Sequence, residues 1–110
     1  MVDKNLLQQT KLFNDLKDHE WNELLKITKE KDFIEGDMVF SEGDASTELY
    51  MLIKGELEIQ IKIAPQLGET TVYVVKPYDV CGEFAFVDPK PRSASARCIR
   101  NSTLYIALIS

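Results

Sequence analysis

Histidine is almost absent from this chain, and cysteine, tryptophan and proline are scarce: one His, two Cys, one Trp and four Pro among 110 residues. A lone histidine, His19, excludes metal sites built on several imidazoles and most histidine-based acid–base catalysis. Cys81 and Cys98 are too few for a disulfide scaffold and lack the paired spacing of a zinc site, which fits a reducing compartment. Long apolar runs are missing too. The longest, such as Tyr50–Ile53 and Tyr105–Ile109, fall far short of the roughly 20 residues that cross a bilayer. The N-terminus, MVDKNLLQQT, carries no apolar signal segment. Basic residues are outnumbered, 13 Lys plus Arg against 18 Asp plus Glu, for a net charge of −5. That balance suits neither a nucleic-acid backbone nor an anionic membrane surface, since both demand a basic face. The expectation is a cytoplasmic protein with no nucleic-acid or membrane partner and no metal.

What is present is the make-up of one globular domain: 45% apolar and 28% charged residues. The first thirty residues have helical period. Leu6, Leu7, Leu12, Phe13 and Leu16 form one apolar group. Asp18 is placed to cap a second helix whose apolar positions are Trp21, Leu24, Leu25 and Thr28, spaced i, i+3, i+4, i+7. After Lys31 the period shortens. Apolar or alternating runs at Asp32–Ile34, Met38–Phe40, Leu49–Lys54, Leu57–Ile63, Thr70–Val75, Ala94–Ile99 and Thr103–Ile109 are divided by turn signals such as Glu35-Gly36-Asp37, Glu42-Gly43-Asp44 and Lys76-Pro77-Tyr78-Asp79. Many short strands broken by such turns predict a β-sandwich or small barrel. Leu57 to Ile63 alternates most cleanly and predicts a strand with one wet face.

One stretch interrupts this pattern: Gly82 to Ala96, GEFAFVDPKPRSASA. The run Asp88-Pro89-Lys90-Pro91 fits neither helix nor inner strand, because proline lacks the N–H and fixes φ. Arg92 follows that stiff turn and is itself followed by Ser93, Ala94 and Ser95, small residues that let a ligand approach the backbone. A guanidinium presents a planar fork that matches two phosphate oxygens. A helical turn opening near Gly82 would aim free N–H groups at the same anion, and Glu83 could accept from a neutral hydroxyl. A basic fork, backbone donors and one carboxylate suit a sugar phosphate.

The same stretch resembles the phosphate-binding cassette of the cyclic nucleotide-binding domain family. Gly82, Glu83, Ala85, Pro91, Arg92, Ala94 and Ser95 stand in the family's register. Upstream, IEGDMVFSEGDASTELYMLIKGELEI is similar to the family's glycine-turn strands, and LFNDLKDHEWNELL to its leading helices. The resemblance implies a mainly β fold, an eight-stranded double-sheet jelly roll preceded by N-terminal helices. It implies one domain over residues 1–110, with helices to residue 30 and the jelly roll from 31. It further implies that Arg92 binds a cyclic phosphate and Glu83 accepts the ribose 2′-hydroxyl. Gly82, Phe84 and Ala85 would offer backbone groups, and Ser93 and Ala94 would line the phosphate side. The implied ligand is cAMP, or secondarily cGMP, with no other cofactor. Two positions depart from the pattern: Tyr78 where glycine often precedes Asp79, and Cys81 where an aromatic is common. The family's closing helices have no counterpart before Ser110, and the apolar edge they would leave favours self-association.

Two functions follow from these expectations. The first is a regulatory module that binds a cyclic nucleotide and signals to an effector of unstated identity by moving its helices. The second is a scaffold or interaction domain that keeps the fold without the ligand. An enzyme is not expected, since no nucleophile–base pair is recognisable. Arg97, Arg100 and His19 read as solvent-facing, and Cys81 and Cys98 as core.

Overall fold

Helices come first and strands after in the computed structural model of this chain, which describes residues 2–10, 15–45, 47–64, 68–81 and 94–108. The helices are α1 (Lys4–Leu7) and α2 (Asp18–Lys26). The strands are β1 (Thr28–Phe33), β2 (Met38–Phe40), β3 (Glu48–Lys54), β4 (Leu57–Ala64), β5 (Gly68–Val75), β6 (Val80–Cys81), β7 (Ser95–Cys98) and β8 (Ser102–Leu108). They form two four-stranded antiparallel sheets, ordered β1-β8-β3-β6 and β2-β7-β4-β5. This is the double-sheet jelly roll that the family resemblance implied, one form of the sandwich that the strand pattern predicted.

Both sides of the first sheet are covered. Along β3, Tyr50 and Leu52 turn to the core between the sheets, while Leu49 and Met51 turn to the helices. Along β8, Leu104 and Ile106 face the inter-sheet core, and Tyr105 and Ala107 face the helices. The helical layer adds Leu7, Trp21 and Leu24 to that outer cluster. A hydrogen bond anchors it: the Asp3 amide donates to the Tyr105 hydroxyl at 2.9 Å. The ammonium of Lys4 lies 5.6 Å from the centre of the Trp21 ring. Of the first expected apolar group, Leu7 is buried and Leu6 and Leu16 pack against this cluster; Leu12 and Phe13 lie outside the described residues.

Two local expectations change at α2. Asp18 is not its cap but its first residue; the cap position is Lys17, whose amide donates to the Glu20 carboxylate at 3.0 Å. A carboxylate three residues into the helix thus reaches back to a free donor. Thr28 does not extend the helical face. Its hydroxyl donates to the Leu24 carbonyl at 2.6 Å, closing α2, and Thr28 then opens β1. The strand pattern therefore starts before residue 31, the boundary expected from the sequence. β1 (TKEKDF) is polar on nearly every residue because it is an edge strand. It had no apolar alternation to betray it beyond Phe33.

Gly55 joins the two sheets, between β3 and β4. Its φ is +103°, and a Cβ there would run into the Ser102 hydroxyl and come within 2.7 Å of the Asn101 carbonyl oxygen. Only glycine fits both the backbone and the space. Beside it, the Ser102 hydroxyl accepts from the Glu56 amide at 3.2 Å and donates to the Arg100 carbonyl at 2.9 Å.

Candidate functional site

The sandwich is closed at one end and thins towards the other. Register places Leu57, Ile59, Val75 and Tyr73 on one inward face, as the pairs Leu57↔Val75 and Ile59↔Tyr73. Leu57 and Val75 are 0% and 1% exposed, Ile59 is half-buried, and Tyr73 is 56% exposed. Among the described residues, burial on this face is complete at Leu57 and Val75, partial at Ile59 and Ile61, and least at Tyr73. At the thin end, Phe40 of the second sheet stacks on Tyr50 of the first, with centroids 5.4 Å apart. The Tyr50 hydroxyl donates to Glu48 at 3.0 Å.

The described residues on either side of the motif-bearing segment are fixed by strand pairing. The chain leaves the first sheet at Cys81, opposite Tyr50, and enters the second at Ser95, opposite Gln60. Residues 82–93 join one sheet to the other. Gly82, Glu83, Phe84, Ala85, Arg92 and Ser93 lie outside the described residues, and of the expected site only Ala94 is described, half-buried in a bend before β7. Ser95 beside it is 5% exposed, and its hydroxyl accepts from the Glu42 amide at 2.9 Å. The small residue there tethers the turn after β2, a role the sequence did not suggest.

Entry into the segment is set by a turn. Asp79 donates its amide to the Lys76 carbonyl at 3.0 Å, and its carboxylate accepts from the Lys76 amide at 3.0 Å and from the Tyr73 hydroxyl at 3.2 Å. The turn is knitted to β3 through Tyr78 N–H to the Leu52 carbonyl at 2.7 Å and Leu52 N–H to the Asp79 carbonyl at 3.1 Å. Tyr78 has φ +72°, and is the one non-glycine among the described residues in the left-handed region.

The charged groups with displaced proton affinities sit elsewhere. Glu56, at the closed end, pairs with Lys76 and, at 3.3 Å, with Arg100. The hydrogen bond from Lys76 holds its carboxyl below the usual carboxylate range, Arg100 adds to this, and partial desolvation opposes it. Burial pushes the Cys98 thiol up and the nearby Asp37 charge adds to it, against a hydrogen bond with Ser102. A buried thiol of raised pKa is an inert core group, as expected for Cys98. Cys81 is buried in the same core.

A separate groove of about 580 Å³ lies on the outward face of the second sheet, lined by Met38, Ser41, Gln60, Lys62, Ser95 and Arg97 among others. Its strand residues alternate with the inward Ile59, Ala96 and Cys98, so it does not open between the sheets. Arg97 there stands opposite Glu58 in the ladder, the arrangement of a charged, solvated strand face. Among the described residues no group of three or more His, Cys, Asp or Glu could hold a metal ion, and no helix is long and apolar enough to cross a membrane.

Comparison with known proteins bears on this geometry. Residues 30–107 match the family model described as the cyclic nucleotide-binding domain. A CRP-like cAMP-activated global transcriptional regulator of Mycobacterium tuberculosis is 37% identical over 76 residues, covering 69% of this chain and 34% of the relative. A cAMP-dependent protein kinase regulatory subunit of Hypocrea atroviridis is 29% identical over 92 residues, covering 84% of this chain and 19% of its own length. The regulatory domain of Toxoplasma gondii PKA, solved with cAMP, superposes with a TM-score of 0.84 at 30% identity, over 96% of this chain and 40% of that one. The chain thus spans about a third or less of the curated relatives named here.

Proposed function

Since the chain belongs to the cyclic nucleotide-binding domain family, we propose that it is a regulatory module that binds cAMP, ahead of cGMP, through residues 82–94. Arg92 grips the cyclic phosphate, Glu83 accepts the ribose 2′-hydroxyl, and Gly82, Phe84, Ala85, Ser93 and Ala94 supply backbone groups and room. The observation that carries this reading is positional. The one segment with a phosphate fork, a carboxylate and small residues in the family's register is flanked by Cys81, opposite Tyr50 in one sheet, and Ser95, opposite Gln60 in the other, which supports a site between them. Support for cAMP comes from the matched relatives, whose names specify it.

The chemistry is binding rather than turnover. A guanidinium–phosphate contact is bidentate and charge-assisted, worth about 1.5–3 kcal/mol for each such hydrogen bond. The signal would pass through the helical layer, because α1 and α2 rest on β3 and β8 of the first sheet, the sheet from which the ligand segment departs. We take residues 1–110 as one such module, acting in the cytoplasm on an effector protein or domain.

Isothermal titration calorimetry with cAMP and cGMP, on the wild type and on Arg92→Ala, tests the reading. The wild type is expected to bind cAMP more tightly. Arg92→Ala should lose roughly 2–5 kcal/mol, the usual cost of breaking a desolvated charge contact. Unchanged affinity in the variant would remove Arg92 from the site. No heat with either nucleotide, on a folded wild type, would turn the reading to a scaffold that keeps the fold without the ligand.

A further inference from the structure

The chain builds one turn three times. In each, the fourth residue is an aspartate whose amide donates to the first residue's carbonyl at 3.0 Å: Asp37 to Ile34, Asp44 to Ser41 and Asp79 to Lys76. In each, the aspartate carboxylate accepts the first residue's amide, at 3.0, 2.9 and 3.0 Å respectively. In each, the third residue has positive φ: Gly36 at 94°, Gly43 at 90° and Tyr78 at 72°. Twice the chain meets that backbone demand with glycine, which takes it without steric cost. The third time it uses tyrosine, which does not. The third turn is the one that launches the two-residue strand β6 and, after Cys81, residues 82–93.

We propose that the Lys76–Asp79 turn is a two-state element that tunes ligand affinity, with Asp79 holding it closed and Tyr78 straining it towards opening. This rests on the cyclic-nucleotide reading of residues 82–94. The closed form is the one in the structure, with the Tyr78–Leu52 and Leu52–Asp79 backbone bonds made. In the open form, Tyr78 relaxes to negative φ, those two bonds are lost, and the pairing of β6 with β3 is weakened. Along the chain only β6, paired through Met51↔Val80 and Tyr50↔Cys81, lies between the turn and residue 82. A ligand that needs the closed turn binds with an apparent affinity reduced by the fraction of molecules in which it is open. Tyr78 and Asp79 are positioning residues here; neither is assigned a ligand contact.

The test uses the full chain in three variants, with cAMP titrated calorimetrically and amide exchange read without nucleotide. Tyr78→Gly removes the strain and the ring, whereas Tyr78→Ala removes the ring and keeps the strain. Tyr78→Gly is expected to bind cAMP more than twofold and up to about fivefold more tightly than Tyr78→Ala, the fivefold limit (roughly 1 kcal/mol) being reached when the open form predominates in Tyr78→Ala. Asp79→Ala is expected to weaken binding about tenfold, with faster exchange at the Leu52 and Tyr78 amides and little change at Met51 and Leu104. A merely structural turn would shift unfolding midpoints while leaving all three affinities within twofold of the wild type, and that result overturns the proposal. Wild-type protein that is folded yet binds no cAMP or cGMP overturns the functional reading and this inference with it. Equal affinities among the variants, with a binding wild type, overturn this inference alone.

Discussion

The central strands of the two sheets differ in composition because they live in different surroundings. In the first, β3 and β8 are apolar on both faces: Leu49, Tyr50, Met51 and Leu52 in one, and Leu104 to Ala107 in the other, are all buried. In the second, β4 buries Leu57 and leaves Glu58, Ile59 and Gln60 half-buried, while Lys62 of β4 and Arg97 of β7 are exposed. The difference comes from the helical layer. With α1 and α2 on the outer face of β3 and β8, those strands must be apolar twice over; β4, on which no described helix rests, alternates. What this teaches is a division of labour. The first sheet carries the stability and the contact to the helices. The second offers a wet outer face and an incompletely covered inner one, where the proposed ligand segment arrives.

Striking at the joint between the sheets should have the largest effect on stability. Gly55→Ala combines a left-handed φ, costing about 1–2 kcal/mol, with a clash against Ser102 and Asn101, adding about 1–3 kcal/mol. Urea unfolding should show a loss of roughly 4 kcal/mol, or no folded protein at all. Next comes a paired comparison of the outer faces. Met51→Ala, beneath the helices, should cost about 3 kcal/mol by leaving a cavity. Arg97→Ala, on the bare face of the second sheet, should stay within about 0.5 kcal/mol. Similar losses from the two would break the comparison. The smallest effect is at Glu56. Its folded-state pKa is depressed, so its pairing stabilises above the ordinary carboxylate pKa and is lost as pH falls through the depressed value. Glu56→Gln should therefore be slightly less stable than wild type at neutral pH, with the gap closing in acid and narrowing in high salt. A gap that widened on acidification would remove the charge pairing from the account.

Much of the fold was legible because its cause is local. The run Leu57 to Ile63 announced a half-wet strand, and Glu35-Gly36-Asp37 and Glu42-Gly43-Asp44 announced turns that the structure holds with aspartate and glycine. Elements whose cause is not local were missed in whole or in part. β1, caught only at its end by the run Asp32–Ile34, is polar before that and exists because β8 lies beside it, and β6, missed, is two residues long and exists because β3 does. The turn ahead of Asp79 was seen, yet that Tyr78 would be forced to positive φ was not. The two glycine versions of the same turn held that signal, since x-x-Gly-Asp recurs with tyrosine in the glycine's place. Ser95 was read as merely small, and its tether to Glu42 joins residues far apart in sequence.

By itself, the sequence determined the class of fold, the acidic surface and the chemistry available to residues 82–94, because periodicity, charge and motif spacing are properties of neighbours along the chain. Tertiary structure decided which sheet bears the helices, where inward residues such as Tyr73 are left exposed, and that the turn before the proposed ligand segment holds Tyr78 at positive φ. These depend on which strands lie beside each other, and strand pairing is set by burial of the whole core, which no short stretch of residues encodes.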